Sequence, residues 1–392
     1  MDIDLSDETE QFRKVVRDFA EQAIAPHCEA WDRDHHFPTE VISAMGELGL
    51  FGLPFPEEYG GSGSDFTTLC VAIEELARVD QSIAITLEAG VGLGANPIFQ
   101  FGTEDQRQRW LPDLCAGRAL GGFGLTEPDA GSDAGGTRTR AVLAERDEGA
   151  EWVIDGEKAF ITNSGTDITS LVTITARTDV PGDEDNPGKP EISTIIVPAG
   201  SPGLEVQPPY RKMGWHASDT HGLTFTGCRV PAENLLGERG RGFANFLTIL
   251  DDGRIAIAAL AVGVIQACLE QSVEYAKNRN AFGQAIGSFQ AVAFKCADLA
   301  VMADTARQLT YRAAALKDHG RPFKKEAAMA KLYATEAAVS ATREATQIFG
   351  GYGFMDETPV ARHYRDAKIL EIGEGTSEVQ RLVIARELGL PT

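Results

Sequence analysis

The chain has 392 residues, 43% of them hydrophobic, enough for two or three subdomains around a sizeable core, and its composition excludes a disordered or fibrous protein. Its net charge of −22 argues against nucleic acid or an anionic membrane as partner, because both repel an acidic surface. Six scattered cysteines (Cys28, Cys70, Cys115, Cys228, Cys268 and Cys296) form no CxxC pair, the pattern of reduced thiols rather than a disulfide frame or a zinc site. The N-terminal MDIDLSDETEQF is acidic, the opposite of a signal or transit peptide, and no apolar run reads as long enough to span a bilayer. A cytoplasmic protein is the expectation.

In chain order, residues 1–120 read as helical. Phe12, Val15, Val16, Phe19, Ala20 and Ala23 keep a helical period before Pro26. A second helical pattern runs from Thr67 to Val79 and a third follows Asp80, while Pro54, Pro56 and Gly60-Gly61 mark a loop. Over 121–235 the character changes to short runs rich in Val, Ile, Thr and Phe, such as EWVIDGEKAFITN, STIIVPAG and HGLTFTGCRVP, which predict a β domain. Val180–Glu191 reads as a solvated loop. Over 236–392 the chain is helical again: Phe243–Asn278 predicts one helix about 50 Å long, and Phe289–Leu316 and Phe323–Phe349 predict partners that bundle with it. Pattern alone therefore gives a mostly α fold with an inserted β domain.

Several familiar chemistries are missing. GGSG at Gly60–Gly63 and GERGRG at Gly237–Gly242 contain no GxGxxG between a strand and a helix, and no HExxH, GxSxG or P-loop occurs. The seven histidines are isolated except His35-His36, a pair that reads as surface rather than a metal site, and His216 and His363 read as structural. FGLTEPDAGSD (Phe123–Asp133) predicts a strand to Thr126, then a loop that exposes amides, hydroxyls and carboxylates. Local pattern leaves an ordinary turn and a ligand loop both open.

The most pointed segment is RHYRDAKILEIGEGTSEVQRLVIAR, from Arg362 to Arg386. Glu374 stands between Gly373 and Gly375, glycines that permit backbone conformations closed to other residues and a close approach by another molecule. Thr376 or Ser377 then caps a helix, with Gln380 placed for a capping box. The result is one acid on a tight turn beside the first N–H groups of a helix, which suits a general base. Spacing alone leaves a solvated Glu at a capped helix start equally open.

This segment resembles the C-terminal signature of the acyl-CoA dehydrogenase family. FGLTEPDAGSD, FITN (Phe160–Asn163), RNAFGQAIGSFQ (Arg279–Gln290) and QIFGGYGF (Gln347–Phe354) also match family motifs, in the expected order and at fitting intervals. The resemblance implies an N-terminal helical domain, a middle β-barrel or sandwich domain and a C-terminal four-helix bundle, with FAD as cofactor. It places Phe123, Leu125, Thr126, Ser132, Phe160 and Thr162 at the isoalloxazine. Phe160 stands where many relatives have Trp, and a buried strand aromatic explains it as well. Arg279 is placed at the FAD pyrophosphate, with Phe282, Gln290, Gln347, Gly350 and Gly351 towards the adenosine end of a neighbouring subunit's FAD, although an Arg closing a helix also suits the macrodipole. Thr376 and Glu378 join the cofactor set. The shared contacts imply at least a dimer, and the resemblance implies a homo-oligomer that is a dimer of dimers.

The same resemblance implies α,β-dehydrogenation of an acyl-CoA. Glu374 takes the α-proton, hydride goes to flavin N5, and electrons pass to an electron-transferring flavoprotein. Ser132, Asp251, Arg254, Glu374 and Gly375 are implied to meet the substrate, while Arg254 pairing with a neighbouring acid remains open. Some members, the isovaleryl-CoA type among them, carry their glutamate at the Gly253 position. With Gly253 and Glu374, this chain has one base. Glycine at 373, where short- and medium-chain relatives have Tyr, points to short or branched acyl groups. Glu88 matches a position that closes the acyl pocket in medium-chain members, or is an exposed helix Glu. A carrier-protein substrate, another flavin reaction and an idle FAD-binding assembly subunit are the competing readings.

Overall fold

Ser6 accepts a hydrogen bond from the Thr9 N–H and starts the first helix, α1 (Asp7–Phe19), in a computed structural model that describes residues 5–147, 149–178 and 191–391. Most of the loop expected at Val180–Glu191 lies outside the described residues. The N-terminal region continues through α2 (Cys28–Asp34), α3 (Thr39–Glu47), α4 (Phe66–Val79), α5 (Gln81–Glu88), α6 (Asn96–Phe101) and α7 (Glu104–Cys115). Asp65 caps α4 through the Thr68 N–H, Asp80 caps α5, and Thr103 with Gln106 forms a capping box on α7. A π-helical turn, Ala89–Ala95, follows Glu88 directly. Such turns recur at functional sites because they displace the residues around them.

Eight strands follow: β1 (Leu120–Gly124), β2 (Arg140–Ala144), β3 (Glu151–Thr162), β4 (Thr169–Arg177), β5 (Ile192–Pro198), β6 (Leu204–Val206), β7 (Thr220–Pro231) and β8 (Leu235–Leu236). They form one sheet in the order β6-β7-β3-β2-β4-β5-β8, with β1 joined parallel to β4 so that Phe123 lies beside Thr173. β1 ends at Gly124 rather than Thr126, because the chain turns away there. The sheet has its own core around Trp152, Ile154, Ile174, Ile195 and Phe225.

The C-terminal region holds α8 (Gly242–Asn278), α9 (Gln290–Asp318), α10 (Lys324–Phe349), α11 (Pro359–Ala367) and α12 (Ser377–Glu387), with the two-residue strands β9 (Asn280–Ala281) and β10 (Gln284–Ala285) between α8 and α9. One apolar core runs from α1, α4 and α5 into α8, α9 and α10, so the first and last thirds of the chain are packed as one body. The expectation that no apolar run reaches membrane-spanning length is corrected here. Gln81–Phe101 and Gly242–Asn278 are both long and apolar enough, yet 78% of each apolar window is buried. These are core helices whose hydrophobicity serves packing. Five of the six cysteines are buried and Cys296 is half-buried, all as free thiols.

Candidate active site

The turn between α11 and α12 carries Glu374 with φ +52°, and Gly375 follows at φ +92°. A non-glycine residue in this left-handed region costs on the order of 1 kcal/mol, so the surrounding structure must hold it. Thr376 caps α12 by accepting from the Val379 N–H. Gln380 does not complete the expected capping box: its side chain turns back to the Gly375 carbonyl at 2.9 Å and the Glu374 carbonyl at 3.4 Å. Lys331 of α10 donates to the carbonyls of Gly373 and Gly375, on either side of the acid.

The Glu374 carboxyl lies over Gly253 of α8. A Cβ at Gly253 would stand 2.0 Å from Glu374 Oε2, so the missing side chain is the space the acid fills. On another side is Glu88, only 1% exposed, which overturns the exposed-helix reading. Neither Glu88 oxygen, nor Glu374 Oε2, has a donor among the described residues, and the two carboxyls face each other. Burial pushes the Glu88 acid well above the usual carboxylate range, and the Glu374 charge adds to this. Burial also raises Glu374, against the opposing pull of the Lys331 and Arg254 charges. Burial lowers the Lys331 ammonium to about 8. Burial therefore favours the neutral form of both acids, most strongly at Glu88, and the Lys331 ammonium opposes it at Glu374.

Asp251 and Arg254, one turn apart on α8, form an ion pair. Asp251 also borders a cleft of about 620 Å3 lined by Lys317, Arg321, Phe323 and Lys324. The pairing leaves Arg254 Nε buried without a partner among the described residues.

The glycine-rich loop after β1 is braced from inside. Glu127 accepts from the Arg138 N–H at 2.6 Å, the Thr139 N–H at 3.1 Å and the fully buried Lys158 ammonium at 2.8 Å. That leaves Phe123, Leu125 and Thr126 half-buried and Ser132 exposed. Phe123 stacks at 3.8 Å on Phe246, in the first turns of α8. Phe160 corrects the buried-aromatic alternative: it is 64% exposed, at φ +62°, with its ring 5.1 Å from Tyr210, and Thr162 is half-buried two residues on. An aromatic face held towards solvent on a strained backbone suits a flat ligand ring.

At the far end of α8 is a second cleft, of about 520 Å3, lined by Tyr275, Arg279, Phe349, Gly350, Gly351 and Tyr352. The Arg279 guanidinium lies over the Tyr352 ring, and a Cβ at Gly350 or Gly351 would meet nothing within 4 Å. Phe282 is 95% exposed, with Gln290 and Gln347 also at the surface. Glu378 is exposed in the first turn of α12. Phe246 and Arg279 are separated by some 50 Å along one helix, so the structure does not bring the two expected cofactor-binding groups together within one chain. An arginine, open glycine backbone and an exposed aromatic fit a dinucleotide shared between chains.

His216 bridges the Asp32 carboxylate and the Lys212 carbonyl and stacks on His35, while His363 is fully buried and pushed down to about 3, hence neutral. Lys331 is the residue that motif reading missed. Its signal was present: it interrupts the stripe Ala327, Ala334, Ala338 on the buried face of α10.

Three acyl-CoA dehydrogenase domain models match: the N-terminal domain over residues 6–118, the middle domain over 122–228 and the C-terminal domain over 240–389. The chain therefore belongs to the acyl-CoA dehydrogenase family, which are flavin-dependent oxidoreductases. It is 52% identical to the probable acyl-CoA dehydrogenase YngJ of Bacillus subtilis, over 99% of this chain and 100% of that one. It is 45% identical to the mouse mitochondrial short-chain specific acyl-CoA dehydrogenase, covering 98% of this chain and 91% of the relative. Butyryl-CoA dehydrogenase from Megasphaera elsdenii superposes with a TM-score of 0.93 at 44% identity, over 99% of this chain and 100% of that one. A chain solved in work on the electron transferring flavoprotein of Acidaminococcus fermentans also superposes at 0.93, with 42% identity over 99% of both chains.

Proposed function

We propose that this protein oxidises a short or branched acyl-CoA to the trans-2-enoyl-CoA, with Glu374 as the base that takes the α-proton. One observation carries this reading. The Glu374 carboxyl is held on a strained turn, in the space left by Gly253, against the buried acid Glu88. Burial raises its basicity towards the range useful for proton abstraction, while the nearby ammonium favours its ionised form. The Glu374 backbone N–H, next to the acid, is the donor proposed for the thioester oxygen, where enolate charge develops.

FAD is the proposed cofactor, whose ring Phe123, Leu125, Thr126, Ser132, Phe160 and Thr162 would hold, with Thr376 and Glu378 also in the proposed cofactor-binding set. Arg279, Phe282, Gln290, Gln347, Gly350 and Gly351 of a second copy hold the pyrophosphate and adenosine. When bound, it accepts the β-hydride and passes electrons on, and an electron-transferring flavoprotein is the proposed recipient. Ser132, Asp251, Arg254 and Gly375 are the proposed substrate contacts. The short-chain relatives and the proximity of Glu88 to the base support a short acyl group, and Gly373, which leaves room beside the base, supports a branched one. A carrier-protein thioester is the second reading, supported by superposition on the prolyl acyl carrier protein oxidase AnaB (TM-score 0.91, 34% identity, 99% of this chain and 100% of that one).

The test is anaerobic mixing of the purified protein with butyryl-, isobutyryl-, isovaleryl- and octanoyl-CoA while following flavin absorbance. Bleaching by the short or branched members is expected, and Glu374→Gln should keep its flavin and bind enoyl-CoA yet lose several orders of magnitude in rate. A yellow protein that none of them bleaches moves the substrate to a carrier-linked thioester. A colourless one refutes the flavin reading.

A further inference from the structure

Lys331 is 1% exposed, inside the helical body, on a face otherwise made of alanine. Burying an ammonium costs several kcal/mol unless its N–H groups are satisfied and a counter-charge is near. Both conditions are met at a single place, the turn of the base. The Gly373 and Gly375 carbonyls take its hydrogen bonds, and the Glu374 carboxylate supplies the charge. The turn in return needs holding, because Glu374 is a non-glycine residue at φ +52° with glycine on both sides. Gln380 is a second donor to the Gly375 carbonyl, but Lys331 is the side chain that spans both carbonyls.

We infer that Lys331 is the positioning residue of the active site, a clamp across the Gly373–Glu374–Gly375 turn that aims the carboxyl at the space over Gly253 and keeps a positive charge beside it. This rests on the reading of Glu374 as the base. The groups facing the ammonium are Glu374 on the turn, Glu88 from α5 and Arg254 from α8. Arg254 is paired with Asp251 and burial favours the neutral form of Glu88, which leaves Lys331 and Glu374 as the couple whose charges respond to each other. Lys331 reaches the turn from α10, so it constrains the base independently of the cap on α12.

The experiment compares Lys331→Met, Lys331→Gln and Glu374→Gln, all as flavin-loaded protein, by stopped-flow bleaching with butyryl-CoA across pH. Enoyl-CoA affinity and melting temperature are measured alongside. Lys331→Met is expected to reduce its flavin about 100-fold more slowly at saturating substrate, the effect of a base misplaced by about 1 Å. Its rate–pH midpoint should move up by about 1–3 units, because the lost cation had favoured the ionised carboxylate. Enoyl-CoA affinity should change little. Lys331→Gln keeps a donor but no charge, and should show the pH shift with a smaller loss of rate. If Lys331→Met does not fold, Lys331→Gln carries the test through that shift. Loss of melting temperature with wild-type rate and pH midpoint overturns the clamp, and leaves the base reading standing if Glu374→Gln is inactive. Wild-type bleaching by Glu374→Gln overturns the base reading and the clamp with it.

Discussion

Gly253→Ala separates stability from activity. Gly253 is buried inside α8, where alanine is better than glycine by roughly 1 kcal/mol in helix propensity. Its new Cβ would lie 2.0 Å from Glu374 Oε2, whereas ordinary contact begins at 3.4 Å, so the carboxyl must move by at least about 1.4 Å. The clashing atom is the far end of a side chain rather than backbone, so the fold survives and the acid gives way. A displacement of about 1 Å at a reacting group costs on the order of 10²-fold in rate. The variant should melt within a few degrees of the wild type, hold its flavin, and reduce it with butyryl-CoA at least about 100-fold more slowly. Thermal melts read the first quantity and single-turnover absorbance the second. A Gly253→Ala protein with wild-type single-turnover rate would show that Glu374 does not work from the space over Gly253.

At the end of α11, burial raises Asp366 to about 7, with the Asp80 charge adding to it. The folded state then holds a proton that the unfolded state gives up near pH 4, so this group's contribution is complete below pH 4 and lost as pH rises through 7. Wild-type stability should fall by up to roughly 4 kcal/mol over that interval, and Asp366→Asn, which keeps an acceptor for the Trp215 N–H, should flatten the fall in urea melts across pH. Lys158→Met leaves the buried Glu127 unpaired at the base of the loop after β1, and should lower stability by about 3–5 kcal/mol and weaken flavin retention. Adding Glu127→Gln should restore most of the stability in denaturant titrations. Arg279→Ala and Thr126→Ala proteins, each poor in flavin, should recover on the order of a quarter of the sites when unfolded and refolded together, if each cofactor is shared by two copies in a symmetric dimer. Flavin content of the mixture is the readout, and no gain over the separate proteins argues against sharing.

Much of the fold was readable because its elements announce themselves locally. The 37-residue α8 follows from an uninterrupted apolar pattern, and the β domain from Val, Ile and Thr runs between Gly and Pro. Glu374 was readable for the same reason: its glycines and its cap are neighbours in sequence. What escaped were partners brought in from a distance. Lys331 lies some forty residues from the turn and Glu88 nearly three hundred, and no local pattern records that their side chains converge on one carboxyl. Gln380 was misjudged because Thr376 rather than Ser377 is the N-cap, which puts Gln380 one position past a capping box, and its amide donates to the Gly375 carbonyl instead.

The length of α8 ties the chemistry to assembly. The helix carries Gly253 and Arg254 about a third of the way along and is capped by Arg279, so the proposed base site and the proposed dinucleotide contact lie at positions of one rigid element too far apart to serve one cofactor. Shortening the helix would not merge the two sites, because Gly253 is fixed against the Glu374 turn and the Arg279 end is fixed against α10 through Tyr275 and Phe349. Only a second copy, turned so that its helix end meets the first copy's β loop, completes the proposed site. The aromatic side chains left most open in the single chain, Phe282 at 95% and Phe354 at 86%, lie at that same end. Exposed aromatic area of this kind is costly in water and is covered when such a surface docks. Cofactor binding and subunit association are therefore expected to be one linked equilibrium, in which each stabilises the other.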